Sequence, residues 1–299
     1  MSGRNTLAVV LVVALVGGAV LLEMHERREV SRAASIGEPA AAAQPAEKAV
    51  PSAEPPAPSS PALRPQPSDL KKPAAPVEPS TPIRAGETWN FSANVSKLNA
   101  VANLKLKVAE KRDFQGRSVW HLQAFAHTEN PLRMVFELDD QFDSYSDAAS
   151  LVSMQYEMHL KERGETVDSV QRLTASGREP APGNATAARV LPGTRDPLGM
   201  MQYLRTVDWA KTPEVRGPVY DGHKLYDARA RLVARGEAVT VPAGNFNTLK
   251  IELRVFENGV EMKDAHFTLY LTDDEARTPV LLEALMPFAT ARVELVKAQ

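Results

Sequence analysis

The pattern of apolar and polar positions changes character three times along the chain. Residues 6–22 read TLAVVLVVALVGGAVLL, an unbroken apolar run without a charge. As a helix it would span roughly 25 Å, just short of a hydrocarbon core. It outlasts a signal-peptide core, and the flank Glu23-Met24-His25-Glu26-Arg27-Arg28 offers no small-residue cleavage pattern. The pattern predicts a retained transmembrane signal anchor over 6–22 behind a short cytoplasmic leader, 1–5, with a cleaved signal as the alternative. Arg27, Arg28 and Arg32 outnumber Arg4, so the count of basic residues opposes an inside N-terminus. The interleaved Glu23, Glu26 and Glu29 and the short leader argue for it.

From 23 to 84 the periodicity vanishes. Beyond about residue 36 the chain is Pro, Ala, Glu and Ser with almost no large apolar side chain. Such a segment cannot bury enough surface to offset its ordering entropy. Prolines packed as in Glu54-Pro55-Pro56-Ala57-Pro58 favour extended backbone. The segment is expected to be a disordered linker, reaching on the order of 150 Å from residue 36 if fully extended.

Residues 85–299 alternate with the period of a strand. Met154, Tyr156, Met158 and Leu160 fall on one face; Gln155, Glu157, His159 and Lys161 fall on the other. Asn258-Gly259 between two such runs is a strong hairpin signal, and Gly116, Gly164, Gly222 and Gly244 punctuate others. Two segments differ. Asp196-Pro197-Leu198 opens like a capped helix, and Leu198, Met201, Tyr203 and Leu204 extend an apolar stripe over about 197–207. Asn130-Pro131, with Leu132, Val135 and Phe136 behind it, predicts a shorter one. The fold class expected is mainly β (α+β): a curled antiparallel sheet of about ten strands, an incomplete barrel, with one or two short helices on its concave side.

Composition narrows the functions. The net charge of −2 has no basic stripe, which argues against nucleic acid as a partner. The absence of cysteine removes disulfides, thiolate metal sites and Cys nucleophiles.

Several motifs occur in a telling order. Arg195-Asp196-Pro197-Leu198 leads to Tyr203-Leu204-Arg205, then Val219-Tyr220-Asp221-Gly222 with Tyr226, then Val241-Pro242-Ala243-Gly244 and Leu249-Lys250-Ile251-Glu252. Tyr270-Leu271-Thr272-Asp273-Asp274 with Arg277, Pro279 and Val280 closes the set, and Gly86-Glu87-Thr88-Trp89 opens it. In these the chain resembles a bacterial family of exported proteins called domain of unknown function 3108. Tyr270 stands where the family usually has Trp; Thr278 and Ala289 also depart from its pattern. The resemblance implies export and a half-barrel domain in the style of lipoprotein carriers. It implies no catalytic residue.

The candidate chemistry is sparse. Asp139-Asp140 and Asp273-Asp274 point to opposite faces as strand neighbours, so neither is an acid–base couple by itself. Asp273 or Asp274 with Arg277 reads as a turn held by an ion pair, and Asp221-Gly222 as a tight turn. His121 and His127 share a face about 20 Å apart, too far for one ion, and no metal or cofactor is expected. Arg195 and Arg205 could receive an anionic headgroup, with Met154, Met158 and Tyr203 lining an adaptable apolar pocket; capping and core packing are the competing readings. The expectation is a non-enzymatic, inner-membrane-tethered periplasmic domain that binds a lipid-like ligand or an envelope protein. The alternatives are an envelope assembly protein and an enzyme acting on envelope polymers.

Overall fold

The computed structural model describes residues 82–299 apart from 97, 135–136, 163, 176–183 and 287–288. The leader, the 6–22 segment and the linker up to residue 81 lie outside the described residues. Among those described, no helix is long and apolar enough to cross a membrane.

Seven strands form a first arm: β1 (Thr88–Val95), β2 (Leu98–Phe114), β3 (Arg117–Thr128), β4 (Asp139–Asp147), β5 (Ser153–Glu162), β6 (Glu165–Thr174) and β7 (Thr186–Arg189). Helix α1 (Pro197–Thr206) follows. Six strands form the second arm: β8 (Glu214–Tyr220), β9 (Leu225–Val241), β10 (Gly244–Glu257), β11 (Val260–Thr272), β12 (Pro279–Met286) and β13 (Ala289–Ala298). All belong to one sheet, in the order β7-β6-β5-β4-β3-β2-β1-β13-β12-β11-β10-β9-β8. Neighbours are antiparallel except β6 and β7, which run parallel.

The first and last strands therefore meet in mid-sheet, where Thr88 and Gln299 exchange two backbone hydrogen bonds of 2.9 Å. From there the two arms curl round toward each other. Among the described residues no ladder closes them. Instead the segment before α1 is threaded between their edges. Thr194 O accepts from Ser153 N of β5 (3.0 Å), Arg195 N donates to Pro218 O of β8 (3.0 Å), and Tyr220 N donates to Arg195 O (2.9 Å). One short segment thus seals part of the seam of an incomplete barrel.

Local chemistry explains the elements. Gln115-Gly116 and Asn258-Gly259 both adopt positive φ (56° and 78°; 50° and 81°), as tight hairpins that follow the sheet's twist require. The described residues form thirteen strands rather than about ten. The short β7 and β8, which contains Gly217 and Pro218, lack a readable alternation because they are edge strands, where Pro is tolerated. After Pro131 there is only one 3-10 turn, Leu132–Met134, with no buried residue; Val135 and Phe136 lie outside the described residues.

Inward positions alternate strictly on β1, where Trp89, Phe91, Ala93 and Val95 are buried. The core is one continuous cluster running through both arms and α1. At one end lie the start of β1, the β4–β5 turn and the β11–β12 connection. Helix α1 packs on the concave side, as expected, and at that end: its start rests on Ser146 and Ser153, and Arg205 near its end reaches Glu87, Ala276 and Arg277. The opposite, far end carries the hairpin tips β1–β2, β10–β11 and β12–β13 and the β3–β4 connection.

Candidate functional site

Helix α1 closes its end through buried polar contacts. Asp196 is fully buried and caps the helix, accepting from Gly199 N at 2.9 Å. Its other oxygen accepts from Ser144 Oγ at 2.5 Å, and its N–H donates to Ser153 Oγ at 2.7 Å. Burial raises its carboxyl above the ordinary range, and the serine contacts oppose the shift. Gly199 is required here, because a Cβ would stand 2.8 Å from Ser146 Oγ and 2.9 Å from Ser153 Oγ. At the other end Trp209, buried, donates Nε1–H to Leu204 O at 3.0 Å and so satisfies a terminal carbonyl.

The sequence-nominated residues fall in three places. Arg205 has a side chain with no exposure. It pairs with Glu87 at 3.0 Å, donates to Gln202 Oε1 and to the carbonyls of Pro82, Ala276 and Arg277, and lies 4.5 Å from the Trp89 ring centroid. Every nitrogen is engaged, so it ties the chain entry to α1 and has no donor for an external anion. Arg195 stacks on Tyr203 at 3.7 Å and donates to Ser150 O at 2.8 Å. Met154 and Met158 are buried on the inner face of β5. The structure does not bring these five together: Arg195 and Tyr203 meet at the seam, Arg205 on the same helix is turned to Glu87, Ala276 and Arg277, and the two Met side chains are buried on β5.

The Asp221-Gly222 turn does more than reverse the chain. Gly222, at φ +103°, presses on β5 so closely that a Cβ would stand 2.5 Å from Met158 Sδ and 3.5 Å from Tyr156 Cε1. Gln171 Nε2 on β6 donates to Gly222 O at 2.7 Å, across the seam. Asp221 Oδ1 accepts from His223 and Lys224 N–H (both 2.8 Å), while its Oδ2, buried, has no hydrogen-bond partner among the described residues. Burial chiefly, and then Asp196 and Asp221, push the Tyr156 hydroxyl far above its ordinary pKa.

Toward the far end the apolar interior comes to the surface. Leu249 and Ile251 on β10 and Leu269 and Leu271 on β11 are buried; Leu253 and Phe267, their outward continuations, are partly exposed. On β5 the same change separates Tyr156 and Met158 from Leu160. Around this end Leu98, Met134, Val167, Val260 and Leu285 are each more than half exposed. The alanines facing inward on β2, β3, β12 and β13 remain buried, so the open apolar surface is on the β5, β10 and β11 side. Near it Asp140 faces inward on β4, accepting from Lys161 N at 3.0 Å; burial pushes its carboxyl up to about 7.

A separate polar group covers the outer face of β3–β6. Asp143, buried, accepts from Gln123 Nε2 (2.9 Å) and Gln141 Nε2 (2.7 Å) and lies 2.6 Å from His121 Nε2. His159 Nδ1 meets Asp168 Oδ1 at 2.7 Å and its Nε2 stands 3.6 Å from Glu157. His127 lies apart, beside Glu129 at 2.8 Å. The Asp273–Arg277 ion pair (3.1 Å) and the Asp274 side chain, accepting from Ala276 and Arg277 N–H, hold the turn as expected. The grouping around Asp143 escaped the sequence reading, although the β5–β6 hairpin registers Glu162 opposite Glu165 and hence His159 opposite Asp168.

The fold and these contacts define a helix-capped, β-barrel-like domain with partly exposed apolar residues at one end. A family model described as "Protein of unknown function (DUF3108)" matches residues 89–296, and the chain belongs to that family. No curated protein matches it. Among solved structures it is similar to a β-barrel-like DUF1849 protein from Brucella abortus, at 11% identity and a TM-score of 0.46, covering 72% of this chain and 97% of that one. It is also similar to a protein described as a putative lipoprotein from Parabacteroides distasonis, at 12% identity and a TM-score of 0.35, covering 73% and 97%. At such identities neither lends a residue role to this chain.

Proposed function

We propose that this chain is a non-enzymatic binding module for an amphiphilic, lipid-like ligand. In this reading the 6–22 segment tethers it to the inner membrane and the linker holds the domain in the periplasm. The observation that carries the proposal is the surfacing of the inward apolar stripe at Leu160, Leu253 and Phe267, with Val167, the cross-strand partner of Leu160, more than half exposed beside it. Apolar side chains exposed at the margin of an apolar interior suit an apolar partner. Helix α1 and the buried Arg205 occupy the opposite end, so the far end is the entry proposed. The Asp140 carboxyl and the unpartnered Asp221 Oδ2 supply polar groups near the apolar wall, as ligand pockets require for orientation.

The test is titration of purified full-length protein with a fluorescent long-chain fatty acid. Saturable binding in the wild type, lost at least tenfold in Leu253→Glu/Phe267→Glu, is expected. No binding, or binding indifferent to both changes, would overturn the proposal.

A further inference from the structure

The outer face of β4–β6 has donors that the apolar site does not use. Asp143 and Glu157 are direct cross-strand partners, and His159 stands two residues beyond Glu157 on the same face. One donor atom from each of Asp143, Glu157 and His159 lies within 4.8 Å of the others.

We propose that Asp143, Glu157 and His159 form a site for a first-row divalent cation of the zinc class. Donors of a tetrahedral zinc stand roughly 3.3–3.6 Å apart, given ~2.0–2.2 Å bonds to nitrogen and oxygen. Small rotations of these side chains close the difference. The supporting contacts leave lone pairs where they are needed. Asp143 Oδ1 already faces two donors, His121 and Gln123, but Oδ2 faces only Gln141. Glu157 Oε1 accepts from Gln155 at 2.6 Å, and Oε2 faces His159.

His159 is oriented as metal-binding histidines are. Its Nδ1–H is directed at the Asp168 carboxylate, which fixes the ring and turns Nε2 toward Glu157. One imidazole beside two carboxylates suits zinc, manganese or iron, whereas calcium and magnesium take oxygen donors alone. Contacts with Asp168, the larger cause, and with Glu157 raise the His159 pKa. The site lies on the outer face, so it is independent of the ligand role.

Competition of full-length protein with a chromophoric chelator for Zn²⁺ tests this. One equivalent is expected to bind. His159→Ala should abolish it. Asp168→Asn, which keeps all three ligands, should weaken it by about ten- to a hundredfold. His266→Ala, at a histidine paired with Glu261 on the second arm, should leave it unchanged. X-ray absorption should report one imidazole among oxygen donors. Absence of stoichiometric binding, or equal affinity in His159→Ala and Asp168→Asn, would overturn the proposal and leave His159 a hydrogen-bond partner of Asp168 only.

Discussion

Asp140→Asn isolates how dry the concave wall is near the far end. The Asp140 carboxyl faces inward and is 6% exposed. Burial is the main cause that pushes it from 3.8 up to about 7, and the backbone N–H of Lys161 opposes the shift. In the native state it therefore keeps its proton to about pH 7, and in the unfolded chain only to about 3.8. Between those values the native state binds more protons, so stability falls as pH rises through the window and is flat above it. About two units of the window lie between pH 5 and pH 8, which at ~1.4 kcal/mol per unit gives a ceiling of about 3 kcal/mol. Asparagine does not titrate and keeps an oxygen for Lys161 N–H. The variant should thus gain up to about 3 kcal/mol relative to wild type at pH 8 over its relative stability at pH 5. Urea unfolding of both proteins at the two pH values measures this directly. An identical stability difference at both would mean that the carboxyl is solvated and the wall beside Leu160 is wet.

Other perturbations probe the seam, the cap and the outer face. Gly222→Ala combines a positive φ with a clash against Met158 and should cost about 2–4 kcal/mol in chemical denaturation. Gly259→Ala, at φ +81° with nothing near its Cβ position, should cost only about 1 kcal/mol. Glu87→Ala strands the buried Arg205 and should destabilise by about 3 kcal/mol, less if Arg205→Met is added in a double-mutant cycle. Asp168→Asn should lower the His159 pKa in an NMR titration, since Asp168 is the largest cause of its rise.

What was legible in the sequence was local. The alternation of Met154, Tyr156 and Met158 fixes the face of β5, Asp196-Pro197 the start of α1, and Asn258-Gly259 the β10–β11 turn. Each follows from dihedral and capping preferences of neighbours. The end at which α1 packs was not legible, because it depends on Arg205 meeting Glu87, 118 residues away. Nor was the seam, where Thr194 and Arg195 reach β5 and β8 through backbone groups that carry no side-chain signature. Arg205 illustrates the consequence. A basic residue near a helix C-terminus reads as an anion receiver or a dipole partner, and only the long-range contacts reveal a saturated brace. Asp143 and His121 come together through the β3–β4 register, set by a connection without a tight-turn signal.

The central claim is that an apolar ligand enters at the end opposite α1. Photocrosslinking of full-length protein with a diazirine-bearing fatty acid, followed by peptide mapping, tests it most directly. Adducts are expected on β5, β10 and β11 around Leu160, Leu253 and Phe267. Adducts confined to the outer face of β3–β6 or to the α1 end, or none competed by unlabelled fatty acid, would contradict it.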